Sequence, residues 1–482
     1  MRTSLPVKLT ALLAAWLWWM SGLTMLAAES PNQKPPNIVY ILADDLGWTD
    51  LACQGSQYYQ TPNIDRLAAQ GMRLLRYYNS QNCAPTRAGL MTGQYAPRTG
   101  LYTVGTGERG AAADRRLHVP ENITRLPMDK TLFPEVLQQA GYVTGMFGKW
   151  HLGNGKDHHP ASRGFTEAIV SAGKHFNFVT DPPVEHPPEQ YLADFVTDRS
   201  VDFIARHRER PFFLYVSHFA VHTPIQARPD YEAEWKQRPP QGTHWHPTYA
   251  AMIQSVDESV GRILTKLDEL NLAERTVVIF SSDNGGLGGY QRTEPPATKK
   301  GFTDNSPLRG GKGTLYEGGL RVPFVLRWPG MVKPGATCNT PLAHVDVYPT
   351  LLEIAGARRP DDYPLDGVSF ASLLKNPAQQ LSREAIYWHF PGYLESYVHT
   401  RGWRTTPVGA IHAGDFKLLE FFETGRVELY NLRDDMGETT DLATRLPAKA
   451  KELRSRLAAW RKEINAPMPA PKPTDQNNSS RR

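Results

Sequence analysis

Asp44 and Asp45 stand side by side at the end of an Ile/Val/Tyr-rich run, Asn37 to Ala43, and Asp283 and Asn284 follow a second such run, Thr276 to Ser282. The four side chains offer hard oxygen donors with almost no sulfur or imidazole, a composition suited to Ca2+ or Mg2+. Either pair alone would equally read as a turn cap, since Asp and Asn often precede Gly. A complementary cationic set consists of Arg87, Lys149, His151, His222 and Lys312. Each lies at a strand end or in a Gly-rich turn such as Leu308-Arg309-Gly310-Gly311-Lys312-Gly313. Singly, such a Lys reads as a solvated charge and such a His as a structural one. Together, the two sets match what a tetrahedral oxyanion ester requires. A divalent cation polarises one oxygen as a Lewis acid, cations stabilise charge on the peripheral oxygens, and His222 or Lys312 could protonate the leaving oxygen.

The elements that must position these residues alternate between β-rich runs and helix-like stretches, the pattern of an α/β domain with helices covering a largely parallel sheet. Besides the two runs above, Tyr142 to Phe147 leads into Gly148-Lys149-Trp150-His151, and Phe212 to Val216 leads into His218 and His222. Four expected strands thus deliver polar residues at their C-terminal ends, the edge where open α/β sheets bind ligands. Thr61-Pro62 is expected to start a helix closed by Gly71, Thr131 another closed by Gly141, and Tyr249 to Leu270 carries helical apolar spacing.

A chain of 482 residues exceeds one small core and suits two unequal domains. With 54 basic against 49 acidic residues and no dense Lys/Arg block, the +5 net charge mildly favours anionic small substrates and gives no sign of a nucleic-acid partner. Arg2 and Lys8 precede an apolar run from Leu9 to Trp19 that closes in Ala27-Ala28. The run is short for a bilayer span and is followed by Ser21, Gly22 and Thr24, so residues 1–28 read as a cleaved signal peptide. The mature chain is expected outside the cytoplasm, periplasmic or secreted (lysosomal or extracellular in a eukaryote), without stable membrane insertion. In that compartment Cys53, Cys83 and Cys338 form an odd set without metal-type spacing. Cys53 and Cys338 could pair or sit buried as small hydrophobes.

Cys83 begins Cys83-Ala84-Pro85-Thr86-Arg87, followed by Ala88-Gly89-Leu90-Met91-Thr92-Gly93. Here the sequence resembles the type I sulfatases of the alkaline phosphatase superfamily, whose signature begins Cys-x-Pro-Ser/x-Arg. The resemblance runs from about Pro35 to about Ala443, through Asp44-Asp45-Leu46-Gly47, Thr61-Pro62-Asn63, Gly148-Lys149-Trp150-His151-Leu152-Gly153, Ser282-Asp283-Asn284-Gly285 and Glu317-Gly318-Gly319-Leu320-Arg321-Val322-Pro323. Thr86 stands where the family most often has Ser, and Gln94 where a basic residue is frequent.

The resemblance implies that a maturation enzyme, the formylglycine-generating partner, oxidises Cys83 to formylglycine. As a hydrated aldehyde this attacks sulfur with one hydroxyl and expels sulfate with the help of the second, where a thiol would stay trapped. It further implies Ca2+ held by Asp44, Asp45, Asp283, Asn284 and residue 83. Arg87 would orient the diol, Lys149 and Lys312 grip sulfate, and His222 with Lys312 protonate the leaving oxygen. His151 would assist collapse of the diol, and Asp283 deprotonation of the attacking hydroxyl. The fold implied is a large mostly parallel, mixed sheet flanked by helices over residues 35–380, then a smaller antiparallel-sheet subdomain with a helix over 381–465.

In that second part Ala385 to His389, Gly409 to Leu419 and Arg426 to Leu432 read as strands and Pro447 to Ile464 as a helix, with a Pro-rich, disordered tail over 466–482. Trp388, His389, Tyr393, Tyr397, His399 and Trp403 could form a sugar-facing rim or pack between subdomains. The expected substrate is a sulfated oligosaccharide or small aryl sulfate. Rival readings are a phosphomonoester or phosphonate-ester hydrolase using the same pocket, and a non-catalytic carbohydrate binder.

Overall fold

The four runs that end in candidate site residues lie side by side in one eight-stranded sheet. In the computed structural model, which describes residues 34–288, 301–396 and 402–472, the strand order is Ala336–Cys338, Met72–Leu74, Phe324–Arg327, Thr276–Ser282, Asn37–Ala43, Phe212–Ser217, Val143–Gly148 and Glu167–Val170. From Thr276–Ser282 onward neighbours are parallel. Phe324–Arg327 is antiparallel to both of its neighbours. Strand alternation sends Val39, Ile41 and Ala43 into one apolar cluster and Ile38, Tyr40 and Leu42 into another, so the central strand is buried on both faces.

Helices Pro62–Gln70, Leu192–Arg206 and Pro247–Glu269 close the first cluster with Ile64, Phe203 and Val260. Helices Cys83–Thr92, Phe133–Gln139 and Val347–Ala355 close the second with Met91, Leu137 and Leu351. Each such fully buried side chain contributes roughly 1.5–3 kcal/mol, which fixes the sheet edge against its helices. The helix expected from Thr131 opens instead at Phe133. Pro134 occupies its first turn, where a missing N–H costs nothing, and Glu135 Oε2 accepts from Leu132 N at 2.9 Å.

A second sheet is fully antiparallel, in the order Ile386–Phe390, Val408–Ala413, Phe416–Phe421 and Val427–Asn431. The single run expected from Gly409 to Leu419 is two strands, because Gly414 at φ 59° reverses the chain. Leu453, Leu457 and Trp460 of helix Pro447–Glu463 pack on this sheet together with Tyr78, Tyr95 and Leu320 from the first part of the chain. Fully buried Lys417 joins the layers, with Glu317 Oε1 and Glu438 Oε1 each 3.0 Å from its Nζ. Both sheets fall within one compact unit beginning at Pro36.

The expected disordered tail is partly held: Ala470–Pro471 pairs antiparallel with Leu117–His118, because this short stretch finds backbone partners that composition alone does not reveal. The predicted leader over 1–28, Tyr397, His399 and residues 473–482 lie outside the described residues. Among the described residues no helix is long and apolar enough to cross a membrane. All three cysteines are free. Cys338 is buried, and Cys53, half-buried beside Asp65, has its thiol pushed up to about 12, mainly by burial.

Candidate active site

The parallel strands present Asp44-Asp45, Lys149-Trp150-His151, His222 and Asp283-Asn284 at one edge of the sheet. The turns there are tight. Gly148 has φ 111°, and a Cβ on it would lie 1.9 Å from Ser217 O, so only glycine lets the two strand ends approach. Asp45 and His151 adopt left-handed backbone at φ 63° and 66°, uncommon for non-glycine residues and more frequent at functional sites.

Cys83 opens the buried helix Cys83–Thr92, whose end is capped by Gly93 at φ 68°. Residue 83 therefore sits where free N–H groups and the helix dipole favour negative charge. Thr86 supplies the hydroxyl that the family usually takes from Ser: Oγ1 accepts from Ser80 N at 3.0 Å and donates to Ser80 O at 3.3 Å, tying the preceding loop to the helix. Arg87, fully buried, donates through Nε and Nη2 to Asp283 Oδ2 and through Nη1 to Lys149 O at 2.9 Å and Ser217 Oγ at 2.6 Å.

The other cations meet the remaining carboxylates. Lys149 Nζ contacts Asp44 Oδ2, Lys312 Nζ lies 2.7 Å from Asp45 Oδ2, and His222 Nε2 lies 3.6 Å from that same oxygen. Burial alone would lower Lys149, but the Asp44 carboxylate holds it above the usual lysine range. Burial, then the charges of Lys149 and Arg87, push His151 down to about 3, so its imidazole is neutral near pH 7. Burial raises the Cys83 thiol, which leaves an unmodified Cys83 a poor thiolate.

The residues present fit a hard divalent cation. Asp44 Oδ1 and Asn284 Oδ1 are buried without a hydrogen-bond partner, a costly state that a metal would relieve. Asp44, Cys83 and Asp283 place ligand atoms within 4.8 Å of one another, as do Asp44, Asp45 and His222. Asn284 Nδ2 donates to Asp45 Oδ1 at 2.8 Å, which ties this amide to the carboxylates. Burial first, and then the neighbouring Asp44 charge, push Asp283 up to about 7 despite Arg87.

Above this floor, Cys83, Lys149, His151, His222 and Lys312 line one cavity of about 490 Å³. The described structure brings together the ten candidate catalytic and metal-ligating residues read from the sequence, five on the wall and Arg87 with the four oxygen ligands beneath. His218 is separate: it is buried and its Nε2 bonds Ser259 Oγ at 2.9 Å. Trp388, His389, Tyr393 and Trp403 do not line the cavity. Trp388 and His389 are buried on the second sheet, and fully buried Tyr393 packs against Trp403 with ring centroids 4.7 Å apart. Packing wins over a sugar-facing rim for these four. Sequence reasoning missed His175, whose Nε2 bonds His222 O at 2.9 Å, and the wall residues Arg109 and Arg404. His175 and Arg109 come from loops and Arg404 from the short strand Trp403–Thr405, none of them within a motif, and only the fold brings them near Cys83.

An α/β sheet that presents hard oxygen ligands, cations and Cys-x-Pro-x-Arg at one edge defines a hydrolase of tetrahedral oxyanion esters. A sulfatase family model matches residues 36–357, and a model of the N-sulphoglucosamine sulphohydrolase C-terminal region matches residues 311–463. A sulfatase of Formosa agariphila is 36% identical over 521 residues, covering 91% of each chain. Mouse N-acetylgalactosamine-6-sulfatase is 34% identical over 396 residues, covering 77% of this chain and 71% of its own. The crystal structure of Ps i-CgsB superposes with a TM-score of 0.73 at 29% identity, covering 89% of this chain and 93% of that one. The chain belongs to the type I sulfatase family and is a sulfuric ester hydrolase.

Proposed function

We propose that this hydrolase releases inorganic sulfate from sulfated carbohydrates, with residue 83 as its nucleophile after a maturation enzyme oxidises Cys83 to formylglycine. The observation that carries the reading is the convergence of Cys83, Lys149, His151, His222 and Lys312 on one cavity, above four buried oxygen ligands. The carbohydrate assignment draws on the mouse N-acetylgalactosamine-6-sulfatase and on Ps i-CgsB, solved in complex with k-i-k-neocarrahexaose. The leader over residues 1–28 belongs to the same reading and implies export to the periplasm or the medium. So do a catalytic part ending near residue 380 and a companion over 381–465.

In this mechanism formylglycine supplies a hydrated aldehyde, one hydroxyl for attack and one for regeneration. Asp44, Asp45, Asp283 and Asn284, with residue 83, would hold Ca2+, which supplies Lewis-acid polarisation of a sulfate oxygen. Lys149 and Lys312 bind the sulfate oxygens, and the Arg87 guanidinium orients residue 83 from beneath. His222, with Lys312, gives a proton to the leaving sugar oxygen. Neutral His151 takes a proton from the remaining hydroxyl of residue 83 when sulfate departs; burial and the neighbouring cations keep its ring unprotonated near pH 7, so its nitrogen is open to that proton. Asp283, held by Arg87, assists deprotonation of the attacking hydroxyl.

Mass spectrometry of the peptide spanning Cys83 tests the nucleophile. The expected result is an aldehyde at residue 83 in active protein, and an unmodified thiol in fully active enzyme would overturn the reading. Comparing kcat/KM for sulfate and phosphate esters of one alcohol tests the reaction. A preference for phosphate would assign the pocket to the rival phosphoesterase chemistry.

A further inference from the structure

The charged side chains lining the Cys83 cavity, histidines aside, are all cationic among the described residues: Lys149, Lys312, Arg109 and Arg404. The two lysines pair with Asp44 and Asp45 and serve the sulfate being cleaved. Arg109 and Arg404 come from two other segments and are half-buried. Arg404 Nη1 donates to Lys312 O at 3.1 Å, so its guanidinium sits beside the backbone of the sulfate-gripping lysine. Gly313 allows this approach: a Cβ there would lie 2.8 Å from Arg404 Cζ and its φ is 89°. Arg109 is anchored from its other side. Its Nη2 donates to Val104 O, while Arg115 Nη1 binds the carbonyls of Glu108, Arg109 and Gly110 at 3.0, 3.2 and 2.8 Å.

The aromatic residues nearby act as scaffold for both arginines. Tyr393 N donates to Gly107 O at 2.8 Å, pinning the Arg109 loop to the short strand pair that carries Arg404. Trp403, the neighbour of Arg404 in sequence, packs so closely on Gly110 that a Cβ there would lie 2.5 Å from its ring. Two guanidiniums held at fixed positions on the wall exceed what one sulfate monoester needs. Arg is suited to this use, because its planar fork matches carboxylate and sulfate oxygens in a defined orientation.

Resting on the sulfatase reading above, we propose that Arg109 and Arg404 form a second anion subsite, and that the preferred substrate carries a further sulfate or carboxylate close to the ester being cleaved. The test uses the matured full chain with Ca2+ and three disaccharides sharing the scissile ester. One is otherwise neutral, one bears a second sulfate, and one bears a uronate carboxylate. The expected result is a kcat/KM at least about tenfold higher on one of the doubly anionic substrates, expressed mainly in KM; which one identifies the anion. Arg109→Gln and Arg404→Gln each cut that ratio by about fivefold or more. A ratio near one on both doubly anionic substrates, or a ratio unchanged in either variant, overturns the proposal.

A second measurement does not depend on how the arginine variants fold. By calorimetry, the Cys83→Ala chain with both arginines intact binds the doubly anionic disaccharide about tenfold more tightly than the neutral one, and equal affinities overturn the proposal. Absence of turnover on all three by fully converted enzyme, with tight doubly anionic binding retained, strikes the sulfatase reading and leaves the subsite standing.

Discussion

Arg87 Nε and Nη2 both donate to one oxygen, Asp283 Oδ2, at 3.0 and 2.8 Å, in a pair closed off from solvent. The same guanidinium ties down Lys149 O and Ser217 Oγ, so one side chain of the Cys83 helix locks three strand ends to each other. The arginine of the signature is therefore structural and electrostatic at once: it sets the position of the Asp283 carboxylate and the direction of the Lys149 turn.

Replacing Arg87 by Ala strands the Asp283 carboxyl beside Asp44 and empties a fully buried volume. Breaking such a pair costs about 3–5 kcal/mol. Urea unfolding of Arg87→Ala should show a loss of that order together with loss of sulfatase activity. Arg87→Lys, which keeps the charge and loses the fork, should fall between. A variant as stable as the parent chain would show that Asp283 does not need its partner.

Removal of the metal should be visible without an assay of turnover. Asp44 Oδ1 and Asn284 Oδ1 have no partner of their own, so a cation bound there stabilises the folded chain by mass action, about 2.7 kcal/mol at a hundredfold excess over Kd. Exhaustive treatment with EGTA should lower the melting midpoint by a few degrees and abolish activity, and Ca2+ should restore both. An unchanged midpoint after chelation would count against a metal at these residues.

The buried trio Glu317, Lys417 and Glu438 gives stability a pH dependence of its own. Burial, opposed by Lys417 and reinforced by Glu317, pushes the Glu438 carboxyl up to about 7. Its pKa in the folded chain is thus above the unfolded value, so the folded state keeps a proton that the unfolded state releases. That contribution is complete below the ordinary glutamate pKa and is lost as pH rises through about 7. The parent chain should lose on the order of 1 kcal/mol more than Glu438→Gln between about pH 5 and about pH 8. Parallel stability curves for the two proteins would sink the assignment.

Much of the candidate site was legible because it sits where chain direction and chemistry coincide. Runs such as Asn37–Ala43 and Thr276–Ser282 have one pattern, buried on both faces, and the residues that follow them must emerge at one sheet edge. What could not be read depends on loop paths. His175 reaches His222 across 47 positions, and Arg404 reaches Lys312 across 92; no periodicity encodes either approach. The aromatic residues near Trp403 stayed open between rim and packing for a related reason. Composition marks them as ligand-capable, but Tyr393 spends its hydroxyl on Arg116 N and Leu117 N, both at 3.1 Å, and its ring on Trp403.

His175 supports His222 in a way that kinetics can isolate. It is fully buried, stacked on Tyr191 and Phe219 with centroids 5.6 and 4.8 Å away, and its Nε2 bonds His222 O at 2.9 Å. Burial pushes its pKa down to about 4, so near pH 7 the ring is neutral, and because a carbonyl can only accept, Nε2 carries the proton. His175→Phe keeps the stacking volume and removes the donor, which should cost roughly 1 kcal/mol of stability. The sharper effect is on chemistry. If His222 protonates the leaving oxygen, its misplacement matters for a sugar alkoxide, a poor leaving group, and hardly at all for 4-nitrophenolate, which departs without a proton. The variant should therefore lose about tenfold or more in kcat on a sulfated sugar while losing far less on 4-nitrophenyl sulfate. An equal loss on both substrates would mean that His175 supports the fold alone and that the His222 backbone needs no such anchor.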